Sequence, residues 1–118
     1  MSVKEAEVEA AFVRHLLERG WDLTTDKADH VDVIARRGAE HIVAEVKGTT
    51  SSAGLDVDTA YGQLLRRMSG RPEDTRFALV VPESARRAAL RVPAEIRRKL
   101  DIDVWVANDL GTVDVITA

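Results

Sequence analysis

Apolar positions along the chain recur with two different periods. From Val3 to Arg19, residues Val8, Ala11, Phe12, His15, Leu16 and Arg19 fall three and four apart, the period of one helix face, and Gly20 stops the run. Trp21 to Thr25 then reads as a strand with Trp21 and Leu23 on one side, and Asp26 to Asp29 is a polar connection. Beyond it the period shortens to two. Val31 to Ala35 and His41 to Lys47 are short, β-branched runs around a polar turn containing Gly38, which predicts a β-hairpin. Alternation sets Ile42, Ala44 and Val46 on one face of the second strand and His41, Val43, Glu45 and Lys47 on the other. In the first strand Asp32 shares a face with His30 and Ile34, opposite Val31, Val33 and Ala35.

Gly48 to Gly54 reads as a flexible polar loop. Asp58 or Thr59 stands where a cap belongs for a helix reaching about Met68, with Ala60, Leu64 and Met68 as its stripe and Gln63, Arg66 and Arg67 on flanking faces. Ser69 to Pro72 ends that helix. Arg76 to Val81 predicts a strand buried on both faces, stopped by Pro82. Ser84 can cap a helix from Ala85 to Val92, and Pro93 at a first-turn position restarts helix to Leu100. Asp101 to Ala107 and Thr112 to Thr117 predict two closing strands around the turn Asn108 to Gly111. The expectation is one α/β domain over 1–118: helix, three strands, helix, strand, helix, two strands.

Composition narrows this picture. A chain of 118 residues suits a single modest core, and with 45% hydrophobic but only 4% aromatic residues that core should be Val, Leu, Ile and Ala. No apolar run of about 20 residues exists to span a membrane. The acidic N-terminus lacks an apolar signal segment, and the absence of cysteine excludes disulfides and thiolate metal sites; both fit a cytoplasmic protein. The net charge of −3 argues against a nucleic-acid partner until its distribution is read. Residues 1–59 hold 7 Lys/Arg and 12 Asp/Glu, whereas residues 60–99 hold 10 and 4. The basic stretch is almost all Arg, the better bidentate partner for phosphate, although Arg on solvated helices is also ordinary.

The hairpin carries the candidate chemistry. Folded back, it can bring Asp32 near Glu45, with Lys47 two steps along the same face. Two adjacent carboxylates repel unless a cation lies between them, and a hard divalent ion takes oxygen ligands. An ammonium beside them can hold or help deprotonate a water. The same pattern also describes a hairpin with one solvated face and a plain Glu–Lys pair, and the spacing alone does not choose. Glu5 and Glu9 lie along the stripe of the first helix, where they can favour the positive end of the helix dipole or reach toward a cation. Hydroxyls and N–H groups in the loop around Thr49 can contact a phosphate or belong to an ordinary loop. His15, His30 and His41 make weaker candidates, and Trp21 and Trp105 read as core.

Asp32-Val33-Ile34-Ala35, Glu45-Val46-Lys47, an opening helix with Glu9, and Gln63 in the Ala60-Tyr61-Gly62-Gln63-Leu64 helix occur in an order that resembles the PD-(D/E)XK nuclease superfamily, closest to its small Mrr-like and Holliday-junction-resolvase-like members. The resemblance covers roughly residues 3–82 and departs in having His30-Val31 in place of a proline before the aspartate, a proline that many members also lack. It implies a restriction-endonuclease-like αβββαβ core, here with an additional C-terminal helix and strands. It further implies a metal-dependent endonuclease acting on DNA, with Mg²⁺ (or Mn²⁺ in its place) held by Asp32, Glu45 and the Val46 carbonyl. Lys47 would then activate water, and Glu9, or Glu5 instead, would bind an outer water or second ion. Gln63 would orient Lys47 or a phosphate, while Thr49, Arg66 and Arg67 would contact the nucleic-acid backbone. So small a domain implies a homodimer or a partner chain supplying recognition. The rival expectation is a nuclease-like fold without catalysis, serving as a DNA-binding or protein-interaction scaffold.

Overall fold

The computed structural model describes residues 3–24 and 32–117. Helix α1 (Glu5–Glu18) leads into strands β1 (Asp22–Thr24), β2 (Val33–Arg37) and β3 (Glu40–Val46), then helix α2 (Ala53–Arg66) and strand β4 (Thr75–Pro82). A 3₁₀ turn (Glu83–Ala85), a single turn α3 (Arg86–Ala89), helix α4 (Ala94–Lys99) and strands β5 (Ile102–Ala107) and β6 (Val113–Ile116) complete the chain. The strands form one six-stranded mixed sheet in the order β1-β2-β3-β4-β5-β6. Pairing is antiparallel except along β3–β4 and β4–β5, the two parallel pairs, which are joined through helices as parallel strands require. The expected mixed α/β class is the observed one.

Each face of the sheet carries its own core. Val43, Phe77, Leu79, Val81 and Val104 pack with Val57, Ala60, Tyr61 and Leu64 of α2. On the opposite face Ile42, Ala44, Val46, Ala78 and Val80 pack with Val8, Ala11, Phe12 and Leu16 of α1. The alternation read along β3 therefore holds residue by residue. Trp21 is buried and Trp105 meets the Phe12 ring edge-on at 5.1 Å, so both tryptophans are structural.

Local geometry differs from expectation in four places. The hairpin turn is only Gly38-Ala39, with Gly38 left-handed at φ 61°, and β2 runs on through Arg36 and Arg37. Arg37 holds this extension by lying 4.5 Å over the Trp21 ring and donating to the Arg19 carbonyl. Helix α2 starts at Ala53 rather than after Asp58 or Thr59, neither of which caps it. The loop residues set this start: the Thr50 hydroxyl donates to the Asp56 carboxylate and accepts the Ser52 N–H, while Asp56 N–H donates to the Ser52 carbonyl. The helix expected over Ala85 to Val92 is split into the 3₁₀ turn and α3, with Ala85 at φ −104° and ψ 1° between them, and it already ends at Ala89. Pro93 itself stands just before the first turn of α4, not inside it. His30, Thr25 and Val31 lie outside the described residues.

Candidate active site

The hairpin register fixes the centre of the site. Val33 pairs with Ala44 and Ile34 with Val43, so the next antiparallel step sets Asp32 opposite Glu45. Asp32 stands at a bend just before β2, and its Oδ2 accepts the Val46 N–H at 2.8 Å. Glu45 is 1% exposed, on the face of the sheet that α2 covers. Its Oε1 is buried without a hydrogen-bond partner. Burial, then the charge of Asp32 and a hydrogen bond to it, push the Glu45 carboxyl up to about 7, against the opposing pull of Arg67 and Lys47. A buried acid with an unsatisfied oxygen beside a second acid is a costly arrangement unless a proton or a cation is shared between them.

These donors fit a hard divalent cation. Two carboxylates supply the negative oxygens, and the Val46 carbonyl leaves the strand on the same side as the N–H that Asp32 accepts. Among the described residues no group of three His, Asp or Glu side chains assembles, so the remaining positions would fall to water, carbonyl or phosphate oxygen. That is the sparse protein coordination magnesium accepts.

Lys47 is half-buried at the end of β3, with its N–H donated to the Val80 carbonyl, and its charge acts on Glu45. Arg67, just past the last turn of α2, also acts on Glu45. Gln63 lies one turn earlier, half-buried, with its Oε1 buried and unbonded. Arg66 is exposed. Thr49 is bound to the start of α1: its N–H donates to the Val3 carbonyl and its hydroxyl accepts the Val3 N–H. The Thr49 N–H is thus committed within the protein, and its hydroxyl sits 3.3 Å from that of Ser84, a neighbour the sequence did not suggest.

Glu9 is half-buried on α1, whose apolar stripe packs on the sheet face opposite Glu45, and Glu5 is exposed at the start of that helix. Neither forms a three-donor cluster with Asp32 and Glu45. His41 is at the other end of β3, with Nδ1 3.0 Å from the Ala39 carbonyl. His15 packs edge-on to Trp105 at 5.4 Å, and burial lowers its pKa. A cavity of about 350 Å³ beneath Trp21 and Trp105 lies at the β4 and β5 starts; there Asp103 takes Arg76 bidentately at 2.8 and 3.0 Å.

No protein-family model and no curated protein matches this chain. Two solved structures share its fold. One is an XisH family protein from Nostoc punctiforme, at TM-score 0.67 and 21% identity over 94% of this chain and 99% of that one. The other is an fdxN element excision controlling factor from Anabaena variabilis, at TM-score 0.65 and 23% identity over 95% and 99%.

Proposed function

We propose that this domain hydrolyses phosphodiester bonds in DNA with a divalent metal held by Asp32 and Glu45. The observation that carries the reading is the buried Glu45 carboxyl, one oxygen of it unbonded, beside the Asp32 carboxyl and under the charge of Lys47. Magnesium, when bound, polarises a phosphoryl oxygen and lowers the pKa of bound water. Asp32 and Glu45 hold and orient it, and the Val46 main chain fixes Asp32. Lys47 orients the attacking water and stabilises charge developing on the phosphate. Gln63 offers an acceptor to the Lys47 ammonium or a donor to the phosphate.

One structural neighbour is an fdxN element excision controlling factor, which supports a setting in which an element is excised. That description names control rather than cutting, and it favours a second reading: a nuclease-like fold that docks on DNA or a partner without catalysis. Metal titration separates the two. Calorimetry with Mn²⁺ should find a site in the wild type that Asp32→Ala abolishes. Cleavage of plasmid and branched DNA should require Mg²⁺ or Mn²⁺, stop on chelation, and fall at least about 100-fold in Asp32→Ala, Glu45→Ala and Lys47→Ala. Equal behaviour of all four proteins in both assays would leave only the docking reading.

The molecule measures 37 × 29 × 26 Å, so one copy spans about a single turn of duplex, roughly 34 Å. Cutting both strands at one place needs two such sites, which motivates a homodimer or a recognition partner. Light scattering in the presence of duplex should give two copies per cut site, and a fully active monomer contradicts this.

A further inference from the structure

The residues that open β3, β4 and β5 line a cavity of about 350 Å³ on the face of the sheet that α1 packs on. It lies at the end of these strands opposite Glu45 and Lys47, and it shares no residue with the candidate active site. Trp21, Ile42, Ala78 and Trp105 give it apolar walls, and Trp105 is partly open to solvent. Glu40, Glu73, Asp74, Asp101 and Asp103 line it too, against a single cation, Arg76. Asp103 takes Arg76 in a fork, and Asp101 takes it at 3.2 Å. Glu40 is paired with Arg37 at 3.4 Å. Glu73 and Asp74 are exposed, and no side chain among the described residues pairs with either. Five acids against Arg76 and the adjoining Arg37 leave a local balance of −3, equal to that of the whole chain. Such a mouth repels a polyanion and draws a cation.

The lining already shows how it takes a guanidinium. Arg37 lies 4.5 Å over the Trp21 ring while paired with Glu40, and Arg76 forks onto Asp103. Trp105, Glu73 and Asp74 offer the same two elements again, a ring and carboxylates, in the same cavity. A planar guanidinium stacks on an aromatic ring and meets carboxylates bidentately, whereas an ammonium acts as a point charge. Ligand sites run upward from about 300 Å³, so the space suits one long side chain better than a large organic molecule.

We infer that this cavity docks an arginine side chain from a basic segment of a partner polypeptide. The stem of that arginine lies against the apolar walls, and its guanidinium meets Trp105 and the carboxylates of Glu73 and Asp74. Neighbouring basic residues of the segment meet the other exposed acids of the rim, which a single free cation leaves unneutralised. The site is independent of the proposed chemistry at Asp32 and Glu45, so a partner here and a nucleic acid there are held at once.

Trp21 and Trp105 are the two tryptophans of the chain, so intrinsic fluorescence reads this cavity directly. The full chain is titrated with the blocked tetrapeptide Gly-Arg-Arg-Gly, with its lysine and citrulline counterparts, and with methylguanidinium and spermidine. The arginine peptide should give a saturable change at least about 5-fold tighter than the lysine peptide, and the uncharged citrulline peptide should give none. Glu73→Gln/Asp74→Asn should weaken the arginine peptide by about 5-fold. Its melting temperature should stay unchanged, since neither side chain pairs with another described residue. Asp58→Asn/Asp109→Asn removes the same charge from α2 and the β5–β6 turn and should bind as the wild type does. No saturable change, equal binding of the arginine and lysine peptides, or equal affinities in the two double variants would overturn the inference. Methylguanidinium or spermidine binding more tightly than the arginine peptide would assign the cavity to a small free cation. Emission that changes on concentrating the protein alone, and then ignores the peptide, would assign it to a second copy of this chain. Either result also overturns docking of a partner's arginine.

Discussion

Glu45 concentrates the conflict in this molecule: it is among the largest fully buried side chains, yet it carries an ionisable group with a free oxygen. An acid whose pKa is higher in the folded state stabilises that state while protonated. Its contribution is complete below its ordinary value of 4.5 and is lost as pH rises through about 7. A gap of that size corresponds to at most about 3 kcal/mol. Metal-free protein should therefore lose stability between about pH 5 and about pH 8, as read by urea unfolding in EDTA. Glu45→Gln should flatten the profile and exceed the wild type at the upper end, and Mn²⁺ should restore the wild type there. A wild-type profile as flat as that of Glu45→Gln would mean that Asp32 and Glu45 do not share a site. Tyr61 gives a simpler case: its hydroxyl donates to the Ala89 carbonyl at 2.6 Å inside the core. Tyr61→Phe should lower the unfolding free energy by about 1 kcal/mol and leave DNA binding unchanged.

Among the elements, the hairpin was legible and the ends of the helices were not. Period-two alternation decides which side chains share a face, and one buried face on each side of the sheet forbids a register slip, so the approach of Asp32 to Glu45 follows from Val33, Ile34, Val43 and Ala44. The start of α2 is set by hydroxyl and carboxylate contacts among Thr50, Ser52 and Asp56, which a run of Gly, Ser and Thr also offers to a loop. The place of Glu9 was not legible either, because a stripe on one helix does not say which face of the sheet it covers. Gly48 shows how closely α1 meets the end of β3: a Cβ there would lie 2.3 Å from the Glu5 nitrogen and 2.8 Å from its Cα. Backbone cannot yield as a side-chain tip can. Gly48→Ala should cost about 1–3 kcal/mol in urea unfolding and displace the start of α1, breaking the paired bonds between Val3 and Thr49. An unchanged midpoint would show that this junction is looser than the contact distances imply.

At the scale of the whole molecule, the uneven charge along the chain becomes an uneven charge in space. The basic stretch supplies α2's end, α3 and α4, which cover the sheet face holding Glu45, whereas α1, with Glu5, Glu7, Glu9 and Glu18, covers the other. A net charge of −3 thus coexists with one face suited to a polyanion, and the field, not the total, governs approach. Arg87 and Arg91 are exposed beside Gly54 on the basic side, at the edge of a cavity that also includes Ser84. Arg14 on α1 and Arg19 just past its end are exposed, tied to the Gly111 and His15 carbonyls. If DNA lies across the α2 face, the double change Arg87→Gln/Arg91→Gln should weaken duplex binding and lower the salt slope by up to about 2, whereas Arg14→Gln/Arg19→Gln should leave the slope unchanged. The paired comparison controls for net charge, since each double variant removes two positive charges from the same chain. Equal losses in both would mean that binding follows total charge, and a larger loss from the α1 pair would put the strand on the side of the sheet that Glu45 does not face.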